Sequence, residues 1–362
     1  MKILLTSGIY PPDIGGPATY IPLLEKFLRA KNIETKTVTL TDGLSLNTPN
    51  LIRISRLHNK LVRSLLVVFS VRREARESQY IFSNGLFEET ALATIFMRKK
   101  LVMKVVGDPI WERFRNKTGS GIAIEDFQNR KLRTWDSLQR KMLVWSLNRA
   151  QIISTPSNQL GQIIASWGVK SLIIIIPNGT PCLSIGQYEE NYDVIMISRL
   201  VSWKNIDCVI RALRDTDLRI GIAGTGPELD YLEGIAEKSN NEVIFLGDLI
   251  EESVVRTLNQ SKIFILNSDY EGLSFALINA MMLGKAIVVS NTEGNTQVIS
   301  NLKEGLVVEA RDESQIYEAV MKLLVDNNLA KRLSEAARIK ALENFCLEER
   351  LKDMLELIIR EH

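Results

Sequence analysis

Three charged side chains in the second half of the chain have types and positions suited to binding and reacting a phosphorylated substrate. Arg199 and Lys204 lie five residues apart, directly after a β-rich run at 194–198. Arginine offers a planar fork of donors and lysine a point charge, so the pair suits a diphosphate leaving group. A pair of solvated surface cations is the alternative interpretation. Glu271, further along the chain, immediately precedes a predicted helix.

The stretch after Glu271 predicts a helix N-terminus beside that carboxylate. Ser274 is a typical N-cap and Gly284 is typical of the residue that follows a helix. Unpaired amides and the positive dipole end suit an anion such as a diphosphate. Asn279 lies eight residues beyond Glu271, and this span fits a sugar at one end, a diphosphate in the middle and a ribose at the other. The amides concerned are those of Gly272, Leu273, Ser274 and Phe275.

Two glycine-bearing loops follow predicted strands. Gly15 and Gly16 come after the first strand and just before a helix that begins near Pro17, and Gly224 and Gly226 follow a later strand. Glycine lets a backbone approach a phosphate closely, so both loops are candidates for diphosphate contact. Neither loop reads G-x-G-x-x-G, so a dinucleotide site is not indicated. A turn without a ligand remains the alternative for each.

Composition limits the chemistry available to the chain. Its 362 residues, 45% of them apolar, suffice for two ordinary domains. The two histidines are His58 and the terminal His362, which leaves almost no material for a histidine-based mechanism. Cys182, Cys208 and Cys346 show neither metal-ligand spacing nor an even framework, so we expect reduced thiols and a cytoplasmic protein. No apolar run approaches the roughly 20 residues that span a bilayer.

Charge is unevenly distributed along the chain. Residues 1–170 carry 26 Lys and Arg against 13 Asp and Glu, whereas the remainder carries 19 against 30. Opposite net charges indicate two domains with different partners. The basic half suits anionic lipid, an anionic acceptor or nucleic acid. Because no nucleic-acid recognition motif accompanies it, a nucleic-acid partner is not expected.

Short β-rich runs alternate with helical patterns throughout the chain, and the stretches between them mostly suit the crossover helices that parallel strands require. The sequence therefore predicts an α/β fold of two Rossmann-like, doubly wound parallel-sheet domains that face a central cleft. The boundary falls where Pro, Gly and Asn cluster, within 177–191. The predicted strands are Lys2–Thr6, Lys36–Leu40, Tyr80–Ser83, Leu101–Val106, Ile152–Thr155, Leu172–Ile176, Val194–Ser198, Leu218–Ala223, Val243–Leu246, Ile263–Leu266, Ala286–Val289 and Leu306–Val308.

Six motifs in this order resemble family 4 of the retaining glycosyltransferases, and the resemblance covers nearly the whole chain. It implies the GT-B fold, with an acceptor-side domain at 1–178, a nucleotide-sugar-binding domain at 179–344 and a C-terminal helix at 345–362 that packs back on the first domain. It also implies that no metal or other cofactor is required, so Asp215-Thr-Asp217 is expected to be a surface loop. The motifs are Y-P-P-D-I-G-G at 10–16, P-N-G at 177–179, S-R-L-x-x-x-K at 198–204, G-T-G-P at 224–227, F-L-G at 245–247, and E-G-L-S with A-M-x-x-G-K-x-I-V within 271–289.

The resemblance also implies roles for individual residues. Arg199 and Lys204 match the pair that neutralises the donor diphosphate, and Glu271 matches a glutamate that contacts the transferred sugar. The leaving diphosphate then helps to deprotonate the acceptor on the same face, so anomeric configuration is retained. Catalysis would rest on electrostatic stabilisation and orientation.

Further donor contacts are implied around these three. The amides of residues 272–275 would hold the distal phosphate and sugar, and Leu249 and Ile250 would frame the base. Gly15 and Gly16 would cover the diphosphate from the other domain, and the loop at 224–226 would also approach the donor. Asp108 and Tyr20 are assigned to the acceptor or sugar side.

Three positions depart from the family pattern. Asn279 stands where a second glutamate is usual, and Gln297 lies in a turn that usually carries another acid. The usual His-Asp pair of the first domain is Gly107-Asp108 here. A neutral amide forms weaker hydrogen bonds than a carboxylate, so donor affinity is expected to fall several-fold.

A basic, amphipathic stretch lies within residues 98–149, which hold 13 Lys and Arg against 5 Asp and Glu. A helix of this kind could lie on anionic lipid as a peripheral membrane surface and present a lipid-linked acceptor. The alternative is a core-facing helix with a solvated basic face. The segment Trp111–Gln128 lacks clear periodicity and is interpreted as a mobile acceptor loop. The apolar positions that recur every three or four residues are Leu132, Trp135, Leu138, Met142 and Trp145.

The sequence thus indicates a retaining, metal-independent glycosyltransferase that moves a hexose-type sugar from a UDP- or GDP-sugar donor to a glycan or lipid-linked acceptor. Synthesis of a bacterial surface polysaccharide at the inner face of the membrane is the expected setting. The first alternative is a degenerate GT-B protein that binds nucleotide or glycan without turnover, motivated by Asn279 and Gln297. A nucleotide-sugar epimerase would need acids or a histidine suitably placed, and the sequence offers none.

Overall fold

The computed structural model describes residues 1–13, 15–43, 47–118, 122–186 and 188–360. These residues cluster into two compact units. Unit 1 comprises Met1–Ile110, Asn129–Pro177 and Glu348–His362, and unit 2 comprises Trp111–Gln128 and Asn178–Leu347. His362, one of the two histidines, lies outside the described residues.

Unit 1 is built on a seven-stranded parallel sheet. From one edge to the other its strands are β3 (Leu51–Ser55), β2 (Glu34–Thr41), β1 (Lys2–Ser7), β4 (Tyr80–Asn84), β5 (Lys100–Lys104), β6 (Ile152–Thr155) and β7 (Leu172–Ile175). The helices of this unit are α1 (Gly16–Ala30), α2 (Lys60–Glu77), α3 (Phe87–Ala93), α6 (Thr134–Leu147), α7 (Asn158–Ser166) and α15 (Leu347–Ile359, clustered here from Glu348).

Unit 2 is built on a six-stranded parallel sheet. Its strands lie in the order β10 (Glu242–Gly247), β9 (Arg219–Ala223), β8 (Tyr192–Ile197), β11 (Ser261–Leu266), β12 (Ala286–Ser290) and β13 (Leu306–Val308). A 3-10 turn covers Ser202–Lys204. The helices are α4 (Pro109–Thr118, clustered here from Trp111), α5 (Ile124–Gln128), α8 (Ile206–Leu213), α9 (Leu229–Ala236), α10 (Glu251–Asn259), α11 (Phe275–Met282), α12 (Glu293–Thr296), α13 (Glu313–Val325) and α14 (Asn327–Asn344).

Both strand orders are those of doubly wound sheets, so the predicted α/β class is confirmed, and each of the twelve predicted strands is present. The sequence did not predict β3. This strand forms the edge of the sheet, where polar Arg53 and Ser55 alternate with isoleucine and blur the apolar run. Among the described residues, no helix is both long and apolar enough to cross a bilayer.

Two expectations about the middle and end of the chain are wrong. Trp111–Gln128 is not an irregular loop in its described part, because α4 and α5 occupy most of it and Trp111 is fully buried. Its aperiodic pattern arises because Arg115, a charged residue, is buried along with the apolar ones.

The expectation of three reduced thiols is the second that is wrong. Cys182 and Cys346 are joined in a disulfide, although 164 residues separate them and their spacing did not indicate a pair. Cys208 is free and buried.

Candidate active site

Lys204 and Glu271 meet at the carboxyl edge of the unit 2 sheet. Lys204 closes the 3-10 turn that follows β8, and Glu271 follows β11, the neighbouring strand. The Lys204 Nζ donates a hydrogen bond to the Glu271 Oε1, and both side chains are largely buried. Ser268 Oγ donates to the same carboxylate oxygen at 2.6 Å. The structure thus brings two of the three predicted catalytic residues into one ion pair.

The N-terminus of α11 lies directly after this pair in the chain. Ser274 is the N-cap, as predicted, and its Oγ accepts a hydrogen bond from the Leu277 amide at 3.3 Å. The Leu273 carbonyl accepts from Asn178 Nδ2 at 3.0 Å, which fixes the turn that leads into the helix. Gly272 precedes it, and Phe275 is the first helical residue. The positive end of the helix dipole therefore lies next to Glu271 in sequence.

Arg199, the third predicted catalytic residue, has a half-exposed side chain. Its guanidinium lies 5.7 Å from the Trp203 ring centroid, and its Nη2 is 3.8 Å from Glu112 Oε2. Glu112 belongs to α4. Both cations of the predicted diphosphate pair thus have a carboxylate nearby, which limits the energetic cost of holding positive charge at this edge.

A cluster of charges around Asp269 supports the same edge, and sequence reasoning missed it. The Asp269 carboxylate accepts hydrogen bonds from Arg115 at 3.0 Å, from Asn205 at 2.7 Å and from Arg311 at 3.1 and 2.7 Å. The Arg115 side chain is fully buried, with its guanidinium 5.3 Å from the Trp111 ring and 5.7 Å from Trp203. Burial lowers the pKa of Arg115, while its bond to Asp269 opposes that shift.

Arg115 therefore ties α4 to the loop that carries Glu271. The sequence feature that could have indicated this contact is Asp269, two residues before Glu271. Nothing in the spacing indicated that Arg115, 154 residues earlier, would bind it.

Gly294 fixes the backbone of Glu271 and is a second feature that sequence reasoning missed. A Cβ at Gly294, in α12, would lie 1.8 Å from the Glu271 carbonyl oxygen. Only glycine allows this approach, because real Cβ atoms are not found so close to a backbone oxygen. The signal was a glycine in the turn after β12, at 293–296.

The other predicted donor contacts line the ends of neighbouring strands. Gly224 has φ +129°, and a Cβ there would lie 1.9 Å from the Ser198 carbonyl oxygen. Gly226 packs in the same way against the Leu200 carbonyl, at 2.2 Å. Glycine is therefore required at both positions because two loop backbones pack closely there. Contact of these glycines with a donor stays a prediction.

Leu249 and Ile250, predicted to frame the base, lie between β10 and α10. Ile250 is the N-cap residue of α10 and its side chain is 71% exposed, while Leu249 is partly buried. Exposed apolar surface at this position is compatible with stacking against a base, and the role stays a prediction.

Two of the three positions that depart from the family pattern, Asn279 and Gln297, have local partners. Asn279 lies on α11, and its side-chain oxygen accepts a hydrogen bond from the Thr180 hydroxyl. Gln297 follows α12, and its Nε2 donates to Glu293 Oε1 at 3.3 Å. The Asn279 oxygen is thus engaged within unit 2, which is a further reason to expect weak ribose contact.

In unit 1, the predicted residues occupy the carboxyl edge of that sheet. Gly15 is the N-cap residue of α1 with φ +144°, and Gly16 opens the helix. Tyr20, on α1, is almost fully buried. Asp108 is buried too, and it accepts hydrogen bonds from Arg140 Nη2 at 2.7 Å and from the Ile110 amide at 3.0 Å. The Asp108 carboxylate therefore anchors the start of α4.

The D-x-D look-alike lies in a turn after α8. Asp215 is exposed and lies 3.2 Å from Arg214 Nε, and Asp217 is exposed as well. Within the described ranges, no group of three or more His, Cys, Asp or Glu side chains could hold a metal ion.

The second half of the chain is similar to known proteins. Residues 184–340 match the family described as Glycosyl transferases group 1. An uncharacterized glycosyltransferase of Methanocaldococcus jannaschii is 30% identical over 183 residues, which make up 48% of this chain and 46% of that protein. A GDP-mannose-dependent alpha-(1-6)-phosphatidylinositol monomannoside mannosyltransferase of Mycolicibacterium smegmatis is 29% identical over 179 residues, 46% of this chain and 47% of that protein. The chain thus spans about half the length of these curated relatives.

Solved structures match over the whole chain. HepE of Anabaena, in complex with UDP and glucose, superposes with a TM-score of 0.80 over 99% of each chain at 17% identity. Sucrose-phosphate synthase from Thermosynechococcus elongatus superposes with a TM-score of 0.81 over 98% of each chain, also at 17% identity. At this identity the likeness establishes the fold, which is GT-B. The match to the group 1 glycosyl transferases covers residues 184–340.

Proposed function

We propose that the protein is a retaining glycosyltransferase. It would move a hexose-type sugar from a UDP- or GDP-sugar to a glycan or lipid-linked acceptor, in the synthesis of a bacterial surface polysaccharide. The observation that carries the proposal is the Lys204–Glu271 pair next to the N-terminus of α11, inside the segment that matches the group 1 family.

The arrangement supports a leaving-group mechanism. Lys204 and Arg199 would neutralise the charge that develops on the donor diphosphate as its bond to the sugar C1 breaks. The amides that open α11 would bind the distal phosphate, and Glu271 would accept hydrogen bonds from sugar hydroxyls. The departing diphosphate would take the proton of the attacking acceptor hydroxyl on the same face, so configuration at C1 is retained.

Nucleotide release from a panel of UDP- and GDP-sugars, with candidate acceptors present, tests this proposal. Arg199→Ala should lower the rate at least about tenfold because it removes one cation from the leaving group. Arg214→Ala, an exposed arginine in the same unit, is the matched control and should leave the rate unchanged. Release from no donor, together with thermal stabilisation by UDP or GDP, would contradict turnover and favour the binding protein suggested by Asn279 and Gln297.

We also propose that unit 1 binds an anionic membrane surface. The apolar stripe of α6 does not face the core: Trp135, Leu138, Met142 and Trp145 are 42–62% exposed. A stripe on α2 that sequence reasoning missed is exposed too, and α3 packs against both helices. Lys60, at the start of α2, lies with its Nζ 5.9 Å from the Trp135 ring and links the two stripes. The exposed α2 residues include Leu61, Leu65 and Phe69, and the exposed cations include Lys131, Arg133 and Lys141.

Exposed aromatic and aliphatic side chains among lysines and arginines are typical of surfaces that insert shallowly into anionic lipid. Flotation with vesicles of phosphatidylglycerol and phosphatidylcholine should recover the protein, and pure phosphatidylcholine should recover much less. The double variant Phe69→Ser, Trp135→Ser should lose recovery, whereas Tyr317→Ser, Ile339→Ser, which alters exposed apolar residues of unit 2, should keep it. Equal recovery of both double variants would contradict this surface.

A further inference from the structure

Three polar side chains form a buried row across unit 1, at the carboxyl edge of its sheet. Lys104 pairs in register with Ser154 of β6, and Asn84 of β4 lies one position past the pair formed by Ser83 and Met103. We call Asn84, Lys104 and Ser154 the polar row. Parallel strands in register present such residues on the same face of the sheet. Each residue of the polar row is at most 2% exposed.

The polar row lacks hydrogen-bond partners inside the protein. Within the described part of the chain, none bonds the Asn84 Oδ1 or Nδ2, the Lys104 Nζ or the Ser154 Oγ. The Tyr20 hydroxyl is likewise without one, and its ring lies 4.5 Å from the Lys104 Nζ. Buried polar groups are normally paired, because leaving them unpaired is costly. Several in one row indicate something outside the chain that pairs them.

The positive charge of Lys104 indicates that the partner of the polar row is an anion. An isolated buried ammonium is strongly unfavourable unless an anion compensates it. Two buried carboxylates of unit 1 are engaged elsewhere: Asp108 with Arg140, and Glu25, on α1, with Tyr10, Thr37 and Arg29. An amine beside neutral amide and hydroxyl donors suits an anion with several oxygens.

The edge next to the polar row also has space. Gly8 follows Ser7, the β1 residue that pairs in register with Asn84, and nothing lies within 4 Å of where a Gly8 Cβ would be.

We propose that the polar row is a binding site for a phosphate-type oxyanion, held by Lys104 as the charged donor and by Asn84 and Ser154 as neutral donors. The site itself does not depend on the proposed function. Its assignment to a phosphate carried by the acceptor does, because unit 1 is the acceptor-side domain only if the protein is a glycosyltransferase.

The protonation of Lys104 supplies a specific signature. Burial lowers the pKa of Lys104 to about 7, and no charged neighbour contributes to that shift. Burial raises the pKa of Tyr20, so the phenol in contact with Lys104 stays protonated through neutral pH. A bound oxyanion would raise the pKa of Lys104 again. Binding should therefore take up protons above pH 7, and affinity should fall as pH rises, by up to about tenfold per unit.

Isothermal titration with sulfate tests the site, because sulfate does not itself titrate near neutral pH. Titrations at pH 6.5 and 8, each in buffers of different ionisation heat, would report affinity and proton uptake. We expect tighter binding at pH 6.5, and up to one proton taken up at pH 8. Lys104→Met should lose about tenfold in affinity and all of the proton uptake, whereas Lys26→Met, an exposed lysine on α1, should match the wild type.

Lys104→Met should also melt at a higher temperature, since it removes an unpaired buried amine. If that variant does not fold, Asn84→Ala carries the same test, with about a fivefold loss. Absence of sulfate binding at both pH values, or equal binding and proton uptake in Lys104→Met, would overturn the proposal and leave ordered water as the partner of the row.

Competition identifies the source of the phosphate. Displacement of Lys104-dependent sulfate by octyl phosphate, and not by UDP, would assign the site to an acceptor phosphate. Displacement by UDP, and not by octyl phosphate, would assign it to the donor. The donor panel described above can fail while sulfate binding persists, so failure of the proposed function and failure of this site are distinguishable.

Discussion

The carboxyl edges of the two sheets differ in how their buried charges are paired. In unit 2, Lys204 contacts Glu271, and Asp269 contacts Arg115 and Arg311. In unit 1, Lys104 is buried without a carboxylate partner among the described residues. At the edge in unit 2, Lys204 already has Glu271 as a partner, so a bound anion would replace Glu271 beside Lys204. At the edge in unit 1, Lys104 has no carboxylate partner among the described residues, so a bound anion would supply the compensating negative charge.

The largest expected effect in unit 2 comes from breaking its central pair. Lys204→Ala removes the cation that would stabilise the leaving diphosphate and leaves Glu271 without its counter-charge. We expect kcat/KM for the donor to fall about 100- to 1000-fold, measured by nucleotide release. Lys331→Ala, a lysine with an exposed side chain, should stay at the wild-type value. If Lys204→Ala lowers kcat/KM by less than about twofold, the Lys204–Glu271 pair has only a structural role.

The next largest effect concerns stability and the cluster behind that pair. Arg115→Ala leaves a gap beside the Trp111 and Trp203 rings and removes one partner of Asp269, which keeps Arg311. We expect the free energy of unfolding to fall by about 3 kcal/mol, measured by urea denaturation.

Arg115→Met separates charge from volume, because it fills the gap without the charge and should recover part of that loss. Arg214→Ala, on the exposed surface, should change stability by less than about 0.5 kcal/mol. A cost for Arg115→Ala no larger than that of Arg214→Ala would mean that α4 does not depend on this contact.

A smaller effect is expected from the glycine that abuts Glu271. Gly294→Ala forces the Glu271 backbone away from its position, so donor turnover should fall about tenfold, with a loss of about 1–3 kcal/mol in unfolding free energy. Gly234→Ala is the matched control, since a Cβ there meets nothing within 4 Å, and helix propensity favours alanine. Unchanged turnover in Gly294→Ala would indicate that Glu271 tolerates displacement.

The smallest expected effect is that of metal removal. Because the proposed mechanism relies on Lys204 and Arg199 rather than on a metal to neutralise the diphosphate, EDTA should change the rate of nucleotide release by less than about twofold. Abolition of activity by EDTA with recovery on adding Mg²⁺ or Mn²⁺ would contradict this part of the account.

The difference between the two edges also explains what the sequence could predict. Arg199, Lys204 and Glu271 follow short apolar runs, and strand ends can be located from sequence because such runs are compact and bounded by turn residues. Ser274 was predictable as an N-cap for a similarly local reason. Local chemistry of this kind covers most of the fold and the principal residues of the candidate site.

The features that were missed depend on contacts between distant parts of the chain. Arg115 reaches Asp269 across 154 residues, and Cys182 reaches Cys346 across 164. Lys104 was missed because it interrupts the apolar run at 101–106, and nothing in the sequence marks this lysine as a fully buried amine. The exposed stripe on α2 was missed because its leucines and phenylalanine look like a core-facing pattern.

A crystal structure with UDP or GDP bound tests the central claim most directly, which is that the carboxyl edge of the unit 2 sheet holds the donor diphosphate. The account predicts diphosphate oxygens within hydrogen-bond distance of the Lys204 Nζ and of the amides that open α11, with the Lys204–Glu271 contact lengthened. A nucleotide bound elsewhere in the molecule, with that contact intact and no phosphate near α11, would contradict it.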